Sequence, residues 1–268
     1  MYKLIAIDID GTLLGSNGRI SAENIQALDA ARDRGVHVVL ATGRPPAGIA
    51  RVRAMMADPP DEYQIAFSGA LTRNVQTGET VASHSVTAGD YLEIAAFADQ
   101  FGLNHYGYQE NACLSPVLHS FVIWEKDING VQAIQAELAS LDSNLPLMKI
   151  MITGEPDKLK FAAGKIPHSI ARRFSIVSSA PDLLEFHHPK ATKGQAVREL
   201  ARLLCVNRTE VICMGDSGND VDMIRYAGLG IAMGNAAADI KAVADFVTAT
   251  NDNHGVAEVV ERFILSRP

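Results

Sequence analysis

The 268-residue sequence predicts an α/β fold built on a parallel sheet and interrupted once by an α+β insertion. Three observations carry that reading. Short apolar runs, Leu4-Ile5-Ala6-Ile7 and residues 36–40 and 211–214, have the character of strands buried on both faces. Each stops at a polar loop and is followed by a helical pattern, as in β-α units. Between residues 71 and 191 the rhythm changes to paired strands with tight turns, and the alternation resumes at Thr192.

Taken in order, Ser21 is an N-cap for a helix that Gly35 terminates. A second strand, 36–40, runs into Ala41-Thr42-Gly43-Arg44, and Pro45 suits the first turn of the next helix. A third strand, 64–67, leads to Ser68-Gly69, and Thr77-Gly78 joins strands 71–75 and 80–85 as a hairpin. The middle reads as a helix at 91–101, strands at 103–108 and 112–115, and helical stretches toward residue 141. Strands at 147–153, 174–178 and 183–186 follow, with a helix from Pro156. The last part alternates helix 193–204, strand 211–214, strand 229–233, helix 237–242, strand 246–247 and helix 256–265. Residues 1–84 and 189–268 are therefore expected to form one domain, with 85–188 an inserted α+β domain.

Hydrophobic content of 47% and charged content of 21% suit a soluble globular protein. A net charge of −7 argues against sequence-independent nucleic-acid binding, which needs a clustered basic surface. Three cysteines, Cys113, Cys205 and Cys213, lack metal-site spacing and fit a reducing cytosol. No run is apolar enough to span a bilayer, and the amino terminus leads straight into a strand without a signal peptide, so a cytoplasmic protein is expected. Trp124 is expected in the core of the inserted domain, and Tyr106, Tyr108 and His105 in surface packing ahead of the alternative, a substrate-facing surface of that domain. Cys113 has no activating neighbour in the sequence.

The chemistry lies at the strand ends, where open α/β sheets place ligands. Asp8 and Asp10 follow the first strand one residue apart, and such carboxylates repel unless a cation or proton intervenes. A turn and helix cap made from Asp10 and Thr12 would not need that pairing. Asp216 and Asp220 follow another apolar strand in Gly215-Asp216-Ser217-Gly218-Asn219-Asp220. Alone they fit turn-and-cap chemistry equally well. Beside Asp8 and Asp10 they complete an all-oxygen cluster that favours Mg²⁺. Thr42-Gly43 at a helix start offers a hydroxyl and N–H groups to an anion, and Lys193 adds a point charge. Together these parts suit phosphoryl transfer, with one aspartate attacking phosphorus and Asp10 as the acid.

Asp8-Ile9-Asp10-Gly11-Thr12-Leu13-Leu14, Thr42-Gly43-Arg44, Lys193-Gly194 and the Gly215–Asp220 loop resemble, in order, the four motifs of the haloacid dehalogenase superfamily. The long insertion looks like the type-two B cap of its Cof-like phosphatase branch. Thr250-Asn251-Asp252-Asn253-His254-Gly255-Val256 is similar to that branch's carboxyl-terminal signature. The resemblance implies a Rossmann-like core and a Mg²⁺-dependent phosphatase of small phosphorylated metabolites. It makes Asp8 the nucleophile and a metal ligand, and Asp10 the general acid/base, binding metal through its carbonyl. Asp216 would complete the metal site, Asp220 would support it, and Ile9, Thr42, Gly43, Lys193 and Asn219 would hold phosphate.

Two departures stand out. Ser68-Gly69-Ala70 replaces the branch's usual Asn-Gly-Ala, and His187-His188-Pro189-Lys190 replaces a glycine-containing approach to the lysine. Both fall near expected hinges and bear on substrate choice and cap closure. A phosphomutase with the same cap type, or a receiver-like or metabolite-binding module, are the alternatives. No nucleic-acid or membrane partner is expected, and neither the substrate nor the oligomeric state is written in the sequence.

Overall fold

The computed structural model describes residues 1–56 and 63–266. The chain starts with strand β1 (Leu4–Ile7), helix α1 (Ala22–Asp33), β2 (His37–Ala41), α2 (Pro46–Arg53), β3 (Tyr63–Ala66), β4 (Leu71–Asn74) and β5 (Thr80–Ser83). The insertion adds β6 (Val86–Thr87), α3 (Ala88–Gln100), β7 (Asn104–Tyr108), β8 (Ala112–Ser115), α4 (Ser120–Asn129), β9 (Gln132–Gln135), β10 (Pro146–Leu147), β11 (Lys149–Thr153), α5 (Pro156–Ala163), α6 (His168–Ala171), β12 (Ser175–Ala180) and β13 (Leu183–His187). Helix α7 (Lys193–Leu203), β14 (Val211–Gly215), α8 (Val221–Tyr226), β15 (Leu229–Ala232), α9 (Ala238–Lys241), β16 (Phe246–Val247) and α10 (Gly255–Val260) close the chain. It divides into two compact units, one of Met1–Gly43, Ile49–Ser83 and Thr192–Pro268, the other of Arg44–Gly48 and His84–Ala191.

The first unit is built on a sheet ordered β16-β15-β14-β1-β2-β3-β4-β5. Strands β16 through β3 are parallel, and β4 and β5 are an antiparallel edge. Every residue of β1 and β14 is buried, as a central parallel strand requires. One face of the sheet, with Leu4, Ala6, Val39 and Cys213, packs on Ala196, Val197 and Leu200 of α7. Ser21 accepts the Asn24 N–H at 3.2 Å as the N-cap of α1, and Gly35 follows with φ +77°. Deep in the unit, Asn24 Oδ1 accepts the Ala257 N–H at 3.0 Å and so joins α1 to α10.

The second unit is a sheet ordered β12-β13-β11-β7-β8-β9. Its two faces differ in kind. Ile150, Ile152, Leu114 and Phe186 pack against Tyr91, Ile94 and Phe97 of α3 and Leu159 of α5 in an apolar core. On the opposite face Lys149, buried, donates to Glu185 at 2.9 Å, and His187 Nε2 lies 3.0 Å from the same carboxylate oxygen. Glu125 of α4 accepts the Tyr106 hydroxyl at 3.0 Å and the Asn129 amide at 2.6 Å. Burial opposes ionisation of Glu185, but the Lys149 ammonium and His187 outweigh it and hold the carboxyl well below its usual range.

Most expected elements are present with ends moved by a residue or a few. Three expectations fail. The stretch expected to be helical up to residue 141 contains a strand, β9, which pairs in parallel with β8. Tyr106, Tyr108 and His105 are buried, not on the surface; His105 packs against Tyr91, its Nδ1 3.0 Å from the Tyr91 hydroxyl. Trp124 is 50% exposed, because α4 turns Val122, Glu125 and Asn129 inward toward the polar sheet face and leaves the tryptophan outside. Cys113 is as inert as expected, burial pushing its thiol up to about 12. Among the described residues no helix is long and apolar enough to cross a membrane.

Removing one partner of a buried ion pair leaves an uncompensated charge. Lys149→Met is therefore expected to cost about 3–5 kcal/mol in urea unfolding. Adding Glu185→Leu to that variant should recover most of the loss. A double variant no more stable than the single one would show that the pairing is not the source.

Candidate active site

The chain runs from β1 to β2 and β3 on one side, and β14, β15 and β16 fill the other, so the sheet order reverses at β1. The register sets Ile7 opposite both Met214 and Leu40. The residues just beyond, Asp8, Asp216 and Thr42, therefore leave the sheet at its carboxyl end. Asp8 is still tied to the sheet, its N–H donating to the Met214 carbonyl at 3.0 Å.

Lys193, the first residue of α7, is wholly buried. Its Nζ donates to Asp8 Oδ1 and to Asp220 Oδ1, each at 2.6 Å. Asp220 Oδ2 accepts the N–H groups of Asp216 and Ser217, both at 3.0 Å, so this one carboxylate fixes the lysine and shapes the loop. Asp216 Oδ1 accepts the Thr12 hydroxyl at 2.8 Å. Among the described residues no donor reaches Oδ2 of Asp8 or of Asp216. Ligand oxygens from Asp8, Asp216 and Asp220 lie within 4.8 Å of one another.

Three ionised carboxylates against one ammonium leave two negative charges unmatched. Burial, opposed by Lys193 and reinforced by Asp220 and Asp216, pushes the Asp8 carboxyl up to about 8. Burial raises Asp216 as well, against the Thr12 hydrogen bond. A divalent cation with oxygen ligands fits this donor set, since it would supply the missing charge and favour the ionised forms.

Close backbone approaches hold the cluster together. Gly11 has φ +80°, and a Cβ there would stand 2.5 Å from Asp216 Oδ2. Gly69 has φ +100°, and a Cβ would stand 2.2 Å from the Thr192 carbonyl oxygen, one residue before the lysine. Phe67 and Ser68 just ahead take φ of 51° and 53°, a costly conformation for non-glycine residues. That turn brings the Ser68 N–H to the Thr42 carbonyl at 2.8 Å and sets Ser68 Oγ beside Gly43.

The structure thus gathers Asp8, Lys193, Asp216 and Asp220, which span the chain from end to end. Thr42 and Gly43 follow the adjacent strand β2, and Asp10 is exposed two residues beyond Asp8. Ile9 is buried, its carbonyl accepting from Leu13 and Leu14. Asn219 is exposed in the Asp216 loop, with Oδ1 accepting from Ser217 at 2.7 Å. Reading the sequence missed Thr12 as the partner of Asp216, although its place in the first motif was a signal. It also missed Asn235, whose amide donates to the Gly11 carbonyl at 2.8 Å. The carboxyl-terminal segment has a use as well: Asn251 donates to the Leu14 carbonyl at 2.9 Å, and Asp252 accepts the Ser16 N–H and hydroxyl at 2.7 Å each.

The chain is similar to known proteins in sequence and in fold. A family model for haloacid dehalogenase-like hydrolases matches residues 5–260. A phosphatase of Bacillus subtilis is 32% identical over 289 residues, covering 98% of this chain and 100% of its own. A haloacid dehalogenase-like hydrolase from Bacteroides thetaiotaomicron superposes with a TM-score of 0.88 at 29% identity, covering 98% of this chain and 100% of that one. A structure described as a subclass IIB sugar phosphatase gives 0.78 at 26% identity, over 97% and 98% of the two chains.

Two outcomes follow from the site. Burial pushes the Asp8 carboxyl up, which favours its protonated form over the ordinary range, so binding a divalent cation there should release protons. Affinity should climb as pH rises toward 8 and level off above it. Calorimetric titration in two buffers of different ionisation enthalpy counts the protons; none released at pH 7 would contradict the raised carboxyl. Separately, Gly35→Ala, at φ +77° with open space around it, should cost only the left-handed penalty of about 1–2 kcal/mol. Gly69→Ala should cost more in the same urea assay, and equal losses would mean the approach to Thr192 relaxes freely.

Proposed function

The chain belongs to the haloacid dehalogenase-like hydrolases and is a phosphatase of their Cof-like type, and on that premise we propose that it hydrolyses sugar phosphates or related small phosphomonoesters through a phospho-aspartate at Asp8. The observation that carries the proposal is Lys193, buried and bonded to Asp8 and Asp220 at 2.6 Å each, beside Asp216. A nucleophile that must approach a phosphate dianion needs cations on both partners, and this arrangement brings the first.

Asp8, Asp216 and the Asp10 backbone carbonyl would hold Mg²⁺, with Asp220 supporting. When bound, the ion neutralises charge on the phosphoryl oxygens. The all-oxygen donors and the spare Oδ2 atoms of Asp8 and Asp216 fit it. Lys193, the Thr42 hydroxyl, the Gly43 and Ile9 N–H groups and the Asn219 amide would orient the phosphate. An Asp8 oxygen attacks phosphorus, the bond from phosphorus to the leaving oxygen breaks, and Asp10 gives that oxygen its proton. Water then attacks phosphorus of the acyl phosphate and yields its proton to Asp10. Inorganic phosphate leaves, and the Asp8 carboxylate is restored. Asp10 suits the proton shuttle because it is exposed while Asp8 is buried. Residues 85–188 would act as the cap domain that selects the leaving group, and residues 1–84 and 189–268 as the catalytic core.

The test is a panel of phosphorylated metabolites with Mg²⁺, reading inorganic phosphate. Asp8→Asn should lower turnover by roughly 10³-fold or more, and Asp10→Asn by roughly 10²–10⁴-fold with Mg²⁺ affinity largely kept. Turnover surviving in Asp8→Asn would remove the nucleophile. Activity that depends on added sugar bisphosphate and releases no phosphate would point to a mutase.

A further inference from the structure

We propose that the hollow between helices α7 and α8 of the first unit binds a small anion carrying two or more phosphate groups. The hollow measures about 640 Å³ and is lined by Arg198, Arg202, Arg208 and Arg225, with Tyr226 and Asp222 among the other walls. In a chain of net charge −7, four guanidinium groups around one concavity are a local reversal of sign.

Ordinary ion pairing does not account for them. Among the described residues none of the four arginines has a carboxylate partner. Asp222 is in the wall, but its Oδ2 accepts the Gly194 N–H at 2.9 Å. Two of the guanidinium groups are held by other means. Arg208 donates Nη2 to the Arg225 carbonyl at 3.1 Å and Nε to the Tyr226 carbonyl at 2.5 Å, which secures it against the last turn of α8. Arg198 lies over the Tyr226 ring, 5.1 Å from its centroid. Arg198 and Arg202 are four residues apart on α7 and share a face.

The size and the chemistry select the ligand class. A volume of about 640 Å³ exceeds what one orthophosphate fills and falls within the range of small-molecule sites. The one aromatic ring is already covered by Arg198, so recognition would come from forked contacts to phosphate oxygens, not from stacking on a base. The hollow is also distinct from the catalytic centre. Arg198 and Arg202 lie about 8 and 14 Å along the helix axis from Lys193. Yet α7 starts at Lys193 and α8 directly follows Asp220, so an occupant bridging the two helices would act on the elements that carry that ion pair.

The experiment is calorimetric titration of the Asp8→Asn protein, which cannot consume the probe, with inorganic tripolyphosphate at low salt. Binding is expected, weakening as salt is added. Arg202→Gln/Arg225→Gln in the same protein should weaken it by about tenfold or more. Both positions are exposed, so unchanged thermal unfolding without ligand checks the fold, and single Arg202→Gln serves if the pair is unstable. On the Asp8 background, Arg202→Gln/Arg225→Gln should leave phosphomonoester turnover unchanged when tripolyphosphate is absent. Binding undiminished by the arginine changes would place the probe in the catalytic centre and overturn the proposal. Failure of wild type and Asp8→Asn alike to bind tripolyphosphate would overturn it too, as would binding confined to a polyanionic macromolecule such as RNA.

Discussion

A single ammonium group holds the catalytic end of this protein together. Lys193 is wholly buried and shared between Asp8 and Asp220, at 2.6 Å from each. Like charges about 4 Å apart repel by roughly 4 kcal/mol at an effective dielectric near 20, so Asp8, Asp216 and Asp220 would not stay together unaided. The lysine removes part of that cost, Thr12 and the loop N–H groups remove more, and the remainder is left for a cation. A fully neutralised cluster would offer a cation no such deficit to fill.

The backbone around that group fixes the start of α7. Thr192 caps α7 with its side chain on the Gln195 N–H at 3.2 Å, and the Gly69 backbone presses against the Thr192 carbonyl. Phe67 and Ser68 accept left-handed conformations to make the approach. Asp222 of α8 takes the Gly194 N–H at 2.9 Å, which ties the helix start to the helix that follows Asp220. The strain of the third strand's turn is in this way exchanged for the position of one side chain.

What the sequence displays and what it hides follow from range. The apolar runs of β1, β2 and β14 and the loops after them are local patterns, and the motifs place Asp8, Lys193 and Asp216 before any coordinates. The burial of Lys193 is not local, because a lysine in a first turn looks solvated until the strand order places Asp8 and Asp220 around it. The sequence reads Asp220 as a supporting residue, and what it does not display is that one oxygen serves the lysine while the other serves the loop. Thr12 and Asn235 were hidden for the same reason, being defined by partners far along the chain. In the second unit the failure is of another kind. Trp124 lies outside and Glu125 inside because a polar sheet face inverted the usual sidedness of α4, which composition alone does not reveal.

The two units offer a comparison that separates structural charge from catalytic charge. Both bury a lysine against a carboxylate. In the second unit Glu185 receives Lys149 and His187 on one oxygen, and Glu125 is satisfied on both oxygens by Tyr106 and Asn129. There the Lys149 ammonium faces Glu185 directly, and the carboxyl is held below its usual range. In the first unit Asp8 is raised, and one oxygen each of Asp8 and Asp216 lacks a donor among the described residues. Opposite shifts beside a buried lysine mean that burial alone does not set the outcome; the balance of opposite charges around the carboxyl does. By that criterion the Lys149 pair is close to charge balance, and the Lys193 cluster keeps an excess of carboxylates over ammonium groups.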